Sequence, residues 1–134
     1  MSRKKFRLRI YHDHFTENAT AILPSAYRVI YCVAGQAAVS ASERNQILTG
    51  DDAWFSDGEC TVRGEIEGAR LWRWELVAPG EGPGAIRETA IKSVKAGEYD
   101  IEIDTSIDHF MRLDRVSFPL GGEALTHVHA AAGV

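Results

Sequence analysis

The sequence predicts an all-β fold, an antiparallel sandwich or barrel of the jelly-roll kind, and three observations carry that expectation. Short runs rich in β-branched and aromatic residues recur along the chain. Several alternate apolar and polar side chains with the period of two that a half-buried strand requires. Gly, Pro, Asp and Ser interrupt them roughly every eight to twelve residues, with no convincing long helical stretch between.

The elements follow in chain order. Phe6, Leu8 and Ile10 alternate with Arg7, Arg9 and Tyr11, and His12 and His14 continue the alternation. Thr16 to Thr20 is polar and turn-like, and Pro24-Ser25 punctuates the approach to Tyr27–Val33, the run with the strongest strand composition, which Gly35 is expected to end. Gln36–Ala41 and Gln46–Thr49 flank a Ser42-Glu43-Arg44-Asn45 turn and make a hairpin. Gly50-Asp51-Asp52 leads into Ala53-Trp54-Phe55, and Ser56-Asp57-Gly58 leads into Cys60-Thr61-Val62. After a break at Glu67-Gly68 comes Arg70–Val77, in which Trp72, Trp74 and Leu76 share one face. That face is expected to be core, or else a wall on which a ligand stacks.

Pro79-Gly80-Glu81-Gly82-Pro83-Gly84 reads as a linker. Beyond it the spacing of Ile86, Ala90, Ile91 and Val94 predicts a short helix, and Tyr99–Ile103 and Phe110–Phe118 read as strands. Pro119 closes the last of these. Gly121-Gly122 turns the chain into a final strand over 124–129.

Composition bounds the function. At 134 residues, 45% of them hydrophobic, the chain fits one ordinary domain or one small domain plus part of another. A net charge of −4 gives no electrostatic footprint for nucleic acid, and the basic start, Arg3, Lys4, Lys5, Arg7 and Arg9, reads as a solvated strand face. No apolar run reaches the ~18 residues of a membrane helix, and nothing resembles the apolar core of a signal peptide. The expectation is a cytoplasmic protein that engages neither nucleic acid nor membrane. Cys32 and Cys60 lack CxxC or zinc-ribbon spacing and are expected to be buried thiols rather than a disulfide. There is no GxSxG, Walker or Rossmann fingerprint.

Spacing and residue type specify chemistry in one place, Gly121-Gly122-Glu123-Ala124-Leu125-Thr126-His127-Val128-His129. On a strand His127 and His129 would project together, about 6–7 Å apart at the backbone, and paired imidazoles suit a first-row metal. His12-Asp13-His14 repeats the spacing, although histidines at a strand end are more often exposed or hydrogen-bonded. Two imidazoles leave such a metal under-coordinated, so further ligands would have to come from His109, Glu123, the His12/His14 pair or a neighbouring chain.

Gly121, five residues and His127-Val128-His129 resemble the opening of the first motif of the cupin superfamily, G-x5-H-x-H-x3–4-E-x6-G. Cupins are small jelly-roll barrels in which three histidines and a glutamate hold a divalent metal, commonly for oxygenation, isomerisation or decarboxylation, while other members only bind ligands. In this chain the glutamate position falls on Gly133 or Val134. The earlier part resembles the cupin framework without its ligands: Gly35, Gly50 and Gly58 suit the motif glycines, but Arg28 stands at the glutamate position, Ala21 to Pro24 at the paired histidines, and Ser56, Thr61 and Glu65 at the proline, histidine and asparagine of the second motif.

The resemblance implies a two-cupin layout. Residues 1–78 make a degenerate, metal-free barrel, 79–84 a linker, and 85–134 the beginning of a second cupin unit or a strand-exchanging C-terminal extension. Two functions follow. One is a non-catalytic module that binds a small molecule or oligomerises, most simply as a homodimer, with Arg28, Thr61, Trp72 and Trp74 lining a ligand pocket. There Arg28 would face inward, paired with a ligand carboxylate or neutralised by Glu65 or Glu75; the alternative has it in solvent. The other is a metal-dependent, dioxygenase-like enzyme acting on a small organic acid, with one Fe, Mn, Ni or Zn ion on His127 and His129 and on ligands from elsewhere.

Overall fold

A computed structural model describes residues 2–82 and 84–123. Its regular elements are seven strands: β1 (Arg3–Phe15), β2 (Thr20–Leu23), β3 (Tyr27–Ala41), β4 (Arg44–Leu48), β5 (Ala53–Ser56), β6 (Cys60–Val77) and β7 (Ile91–Asp104). All pair antiparallel in one sheet of order β4-β3-β6-β1-β7, with β2 added to β6 and β5 added to β3. The sheet is open, ending on β4 and β7.

Two strands are long enough to serve both halves of the molecule. Residues 27–35 of β3 pair with 69–76 of β6 beside β5, β1 and β7, whereas residues 37–40 pair with 61–64 beside β4 and β2. Between these blocks the ladder shifts register at Cys32/Ala34 and again at Gly35/Ala37. Gly35 and Gly68, with φ of 76° and 75°, take the bend there, and Glu67 shares the positive φ at 67°. A Cβ at Gly35 would collide with the Gly68 carbonyl oxygen, and one at Gly68 with that of Phe15. Absence of a side chain therefore lets three backbones meet where the sheet folds over.

Folding over brings the inner faces of both halves onto one core, with Phe15, Ile30, Trp54 and Leu71 from one side and Leu23, Val39, Leu48 and Val62 from the other. Burying a large aliphatic or aromatic side chain stabilises the fold by about 1.5–3 kcal/mol, so this shared cluster is the main reason the halves stay together. Cys32 and Cys60 lie in it as free thiols. Burial pushes both thiols above the ordinary cysteine value, and at Cys60 the neighbouring Arg28 charge works against that shift.

Several expectations change. Gly35 and Glu67-Gly68 do not end strands; each is a bend inside one, because both neighbours remain paired beyond it. Ala21–Leu23 is a strand, with Ala21 and Leu23 buried and Ile22 outward. Residues 86–94 hold no helix. Ile91 is buried and Val94 exposed because β7 runs beside β1 from Ile91↔Phe15 to Asp104↔Arg3, so pairing overrides the apolar spacing. The chain beyond the Pro/Gly-rich stretch thus returns to the sheet built by residues 3–77. Residues 105–123 carry no ladder and include turns at 105–106 and 120–121, so Phe110–Phe118 is not a strand among the described residues. The hairpin falls where the sequence places it, but its turn is shorter than expected, Ser42-Glu43 alone, since Arg44 and Asn45 already pair in β4; the turns before β5 and β6 fall as expected. Among the described residues no helix is long and apolar enough to cross a membrane.

Candidate functional site

Strand alternation puts charges on the inner face. On β3, Arg28 shares its side with Ile30 and Cys32; on β6, Arg73 and Glu75 share theirs with Leu71 and Val77; on β1, Asp13 lies between Tyr11 and Phe15. Arg28, Arg73, Glu75 and Asp13 are 0%, 1%, 1% and 3% exposed. They form a chain of alternating sign. Arg28 Nε donates to Glu75 Oε2 at 2.7 Å, and Arg73 Nη1 donates to Glu75 Oε1 at 2.7 Å. Arg73 Nε donates to Asp13 Oδ2 at 2.7 Å, and the Ser93 hydroxyl caps the row by donating to Asp13 Oδ1 at 2.5 Å.

Backbone groups use the remaining donors. Arg28 Nη2 donates to the Pro24 carbonyl at 2.5 Å, while Nη1 reaches the Gly58 carbonyl at 3.3 Å and Cys60 Sγ at 3.6 Å. The Arg73 guanidinium lies 4.1 Å from the Tyr11 ring centroid. Burial works against the charge on Arg73, but the Asp13 hydrogen bond and the Asp13 and Glu75 charges outweigh it and raise its pKa. Two positive and two negative charges cancel, which is how a buried set of this size is tolerated. One register step away, Arg9 Nε donates to Glu98 Oε1 at 2.8 Å, and Arg9 Nη1 holds the Glu81 carbonyl at 2.7 Å. The network thus ties β1, β3 and β6 to the turns above them.

The opposite face of the same strands carries aromatics. In register, Tyr31, Trp72, His12 and Val94 form a row across β3, β6, β1 and β7. His12 stacks on Trp72 at 5.2 Å between centroids and 21° between planes; Tyr31 lies 6.0 Å and Trp74 6.2 Å from Trp72. The next row outward is basic, with Arg70, His14 and Lys92 in register and exposed. At the β3 border the Tyr31 hydroxyl donates to Asp51 Oδ1, a bond that raises the tyrosine pKa, and Arg115 Nη1 pairs with Asp51 Oδ2 at 2.7 Å.

The expected pocket residues are therefore not brought together. Arg28 lies under the sheet, Trp72 and Trp74 above it, and Thr61 in the other half of β6, half-buried between Ile22 and Ser40 in register. The two tryptophans are not core: Trp72 is 40% exposed. Glu75 takes Arg28, while Glu65 pairs with Arg63 at 2.9 Å. Of the expected metal ligands, His12 and His14 are exposed on the outer face, His109 Nε2 sits 2.7 Å from the Asp104 carbonyl oxygen, and Glu123 is exposed. Among the described residues no three His, Cys, Asp or Glu side chains are grouped to hold a metal ion. His127 and His129 lie outside the described residues.

Nor does the donor chemistry at the positions the cupin resemblance assigns to ligands within residues 1–78 fit a divalent cation. A buried, ion-paired guanidinium stands where the cupin resemblance implies a carboxylate, and the buried methyl of Ala21 and isobutyl of Leu23 stand where it implies imidazoles. The residues sequence reasoning missed are Asp13, Arg73 and Ser93. The signal for Asp13 and Arg73 was present, since Tyr11-x-Asp13-x-Phe15 and Leu71-x-Arg73-x-Glu75-x-Val77 place charges at positions of apolar parity; Ser93 had none. Comparison with known proteins finds no family model, no curated protein and no solved structure that matches the chain.

Proposed function

We propose that the protein is a cupin-like jelly-roll module that works by association, with a small molecule or with another protein chain, rather than by catalysis at a centre of its own. One observation carries this reading. The ionisable groups under the sheet are spent on one another, while the aromatic groups that could meet a partner stand on the outer face. Arg28 already holds a carboxylate, that of Glu75, and its other donors are on backbone oxygens and Cys60, so an incoming acid would have to displace a buried ion pair. Two surface clefts, of ≈ 240 Å³ beside β2 and ≈ 250 Å³ beside the β3–β4 turn, fall short of the roughly 300–1,000 Å³ of typical ligand pockets. The exposed aromatic face of Tyr31, Trp72 and His12 favours a protein chain over a small molecule as the partner.

The second reading, a metal-dependent cupin enzyme for a small organic acid, draws on the Gly121-x5-His127-x-His129 spacing. Metal analysis of protein purified without chelator separates the two. The association reading expects substoichiometric metal, unchanged by His127→Ala. Stoichiometric Fe, Mn, Ni or Zn that is lost in His127→Ala replaces it with the enzyme.

A further inference from the structure

We propose that two copies of this chain pair reciprocally, the segment 107–120 of each, which joins no ladder, seating its apolar side chains on the outer aromatic face of the other. This rests on the association reading above and names its partner and surface.

The segment has the composition of something that is normally covered. Ile107, Phe110, Val116, Phe118 and Leu120 are exposed, Phe110 at 85% and Leu120 fully. The segment joins no ladder among the described residues and is pinned at two points, where His109 meets the Asp104 carbonyl oxygen and Arg115 pairs with Asp51. Arg115 on Asp51 fixes it at the rim of its own molecule with Phe110, Phe118 and Leu120 still open to solvent.

The face has a matching deficit. Tyr27 and Tyr99 lie in one register row with Leu76 and Leu8, and Trp72 and Val94 in another with Tyr31 and His12. Tyr27, Trp72, Val94 and Tyr99 are each two-fifths to one-half exposed. Both pins of the segment lie on the borders of this face, since Asp104 ends β7 and Asp51 bonds Tyr31, which stands against Trp72. An exposed apolar arm rising beside an exposed apolar face is self-complementary under a two-fold axis: one operation covers both.

The area suffices. The exposed parts of four face residues and of Phe110, Val116, Phe118 and Leu120 sum to roughly 800 Å² per chain, about what each partner contributes to a standard interface.

Sedimentation velocity on the whole chain tests the proposal. The wild type is expected to be a dimer. Phe110→Asp/Phe118→Asp in the arm and Trp72→Ser on the face are each expected to weaken association by about 100-fold, the effect of removing a hot spot. Tyr99→Ser reads the same face should Trp72→Ser fail to fold by circular dichroism. An equimolar mixture of arm and face variants supplies one intact arm and one intact face, so native mass spectrometry is expected to show heterodimers where each variant alone is monomeric. A wild type that stays monomeric at about 100 μM overturns the proposal. A dimer that survives both classes of variant, or a mixture that yields no heterodimer, overturns this surface while leaving association itself standing. Stoichiometric metal lost with His127 removes the underlying reading instead.

Discussion

Arg28 and Glu75 face each other directly across the β3–β6 ladder, both beneath the sheet, with the guanidinium Nη2 2.6 Å from Oε2. Glu75 also accepts from Arg73, so one carboxylate bridges two buried cations, of which Arg73 has Asp13 as well. Glu75→Gln is therefore expected to cost about 3–5 kcal/mol in urea unfolding, because it leaves charge uncompensated in a dry site. Replacing Arg28 by Met and Glu75 by Leu together is expected to cost less than the sum of the single changes. Strict additivity would mean the two side chains are not coupled.

The bend between the halves makes a second demand. Gly68→Ala is expected to lower stability by several kcal/mol or prevent folding, since the added methyl meets the Phe15 carbonyl and the positive φ is strained for alanine. Gly58→Ala, with open space around its Cβ position, is the control and should unfold like the wild type to within about 0.5 kcal/mol. Equal midpoints for the two variants would remove the bend from the account.

The tryptophans offer a direct reading of which face is inside. Trp54 is 1% exposed and packs in the shared core, so Trp54→Ala is expected to cost about 3–5 kcal/mol. Trp72→Ala removes cross-strand contacts with His12 and Tyr31 on the outer face and should cost at most about 1 kcal/mol, measured at a concentration where the chain is monomeric. The reverse order would turn the sheet over.

Acid should act through Glu98, whose carboxyl the Arg9 hydrogen bond, aided by Lys95, holds below the usual carboxylate range. Its folded pKa lies under its unfolded value of about 4.3, so its contribution is complete above that value and is lost as pH falls through the folded one. Melting temperatures of wild type and Glu98→Gln are expected to differ near neutral pH and to converge as the pH falls below that unfolded value. A constant gap across that range would assign the difference to something other than ionisation.

Cys32 and Cys60 are buried thiols whose pKa values burial raises, so neither should react with a disulfide reagent at mildly alkaline pH until denaturant is added. A fast-reacting thiol in the native protein would contradict the packing of the shared core.

Most strands were legible because their alternation and turns are local. Tyr27–Val33 and the Asp51 and Asp57 turns depend on neighbours in sequence and appear as expected, as does the hairpin after Ala41, though its turn is two residues rather than four. Gly35 and Gly68 misled because a glycine that ends a strand and one that bends it look alike until the partners on both sides are known. The faces of β6 misled for a sharper reason. Trp72, Trp74 and Leu76 outrank Arg73 and Glu75 on any hydrophobicity scale, yet inside and outside are decided by whether charges find partners, and Asp13 lies about sixty residues earlier in the chain. Nothing local announces that pairing.

β1 pairs with β6 and β7, with Phe15 opposite both Ala69 and Ile91, and Arg3 opposite Asp104. During synthesis the first strand emerges with its alternating apolar side chains and must wait while some ninety more residues are added, roughly 5–20 s at ribosomal rates. For about the first sixty of those residues Asp13 has no arginine, and only after them can Phe15 meet Leu71 in the core. Among the described residues the last strand, β7, is the one that covers the free edge of β1, so that edge is protected from foreign strands only once β7 has been made.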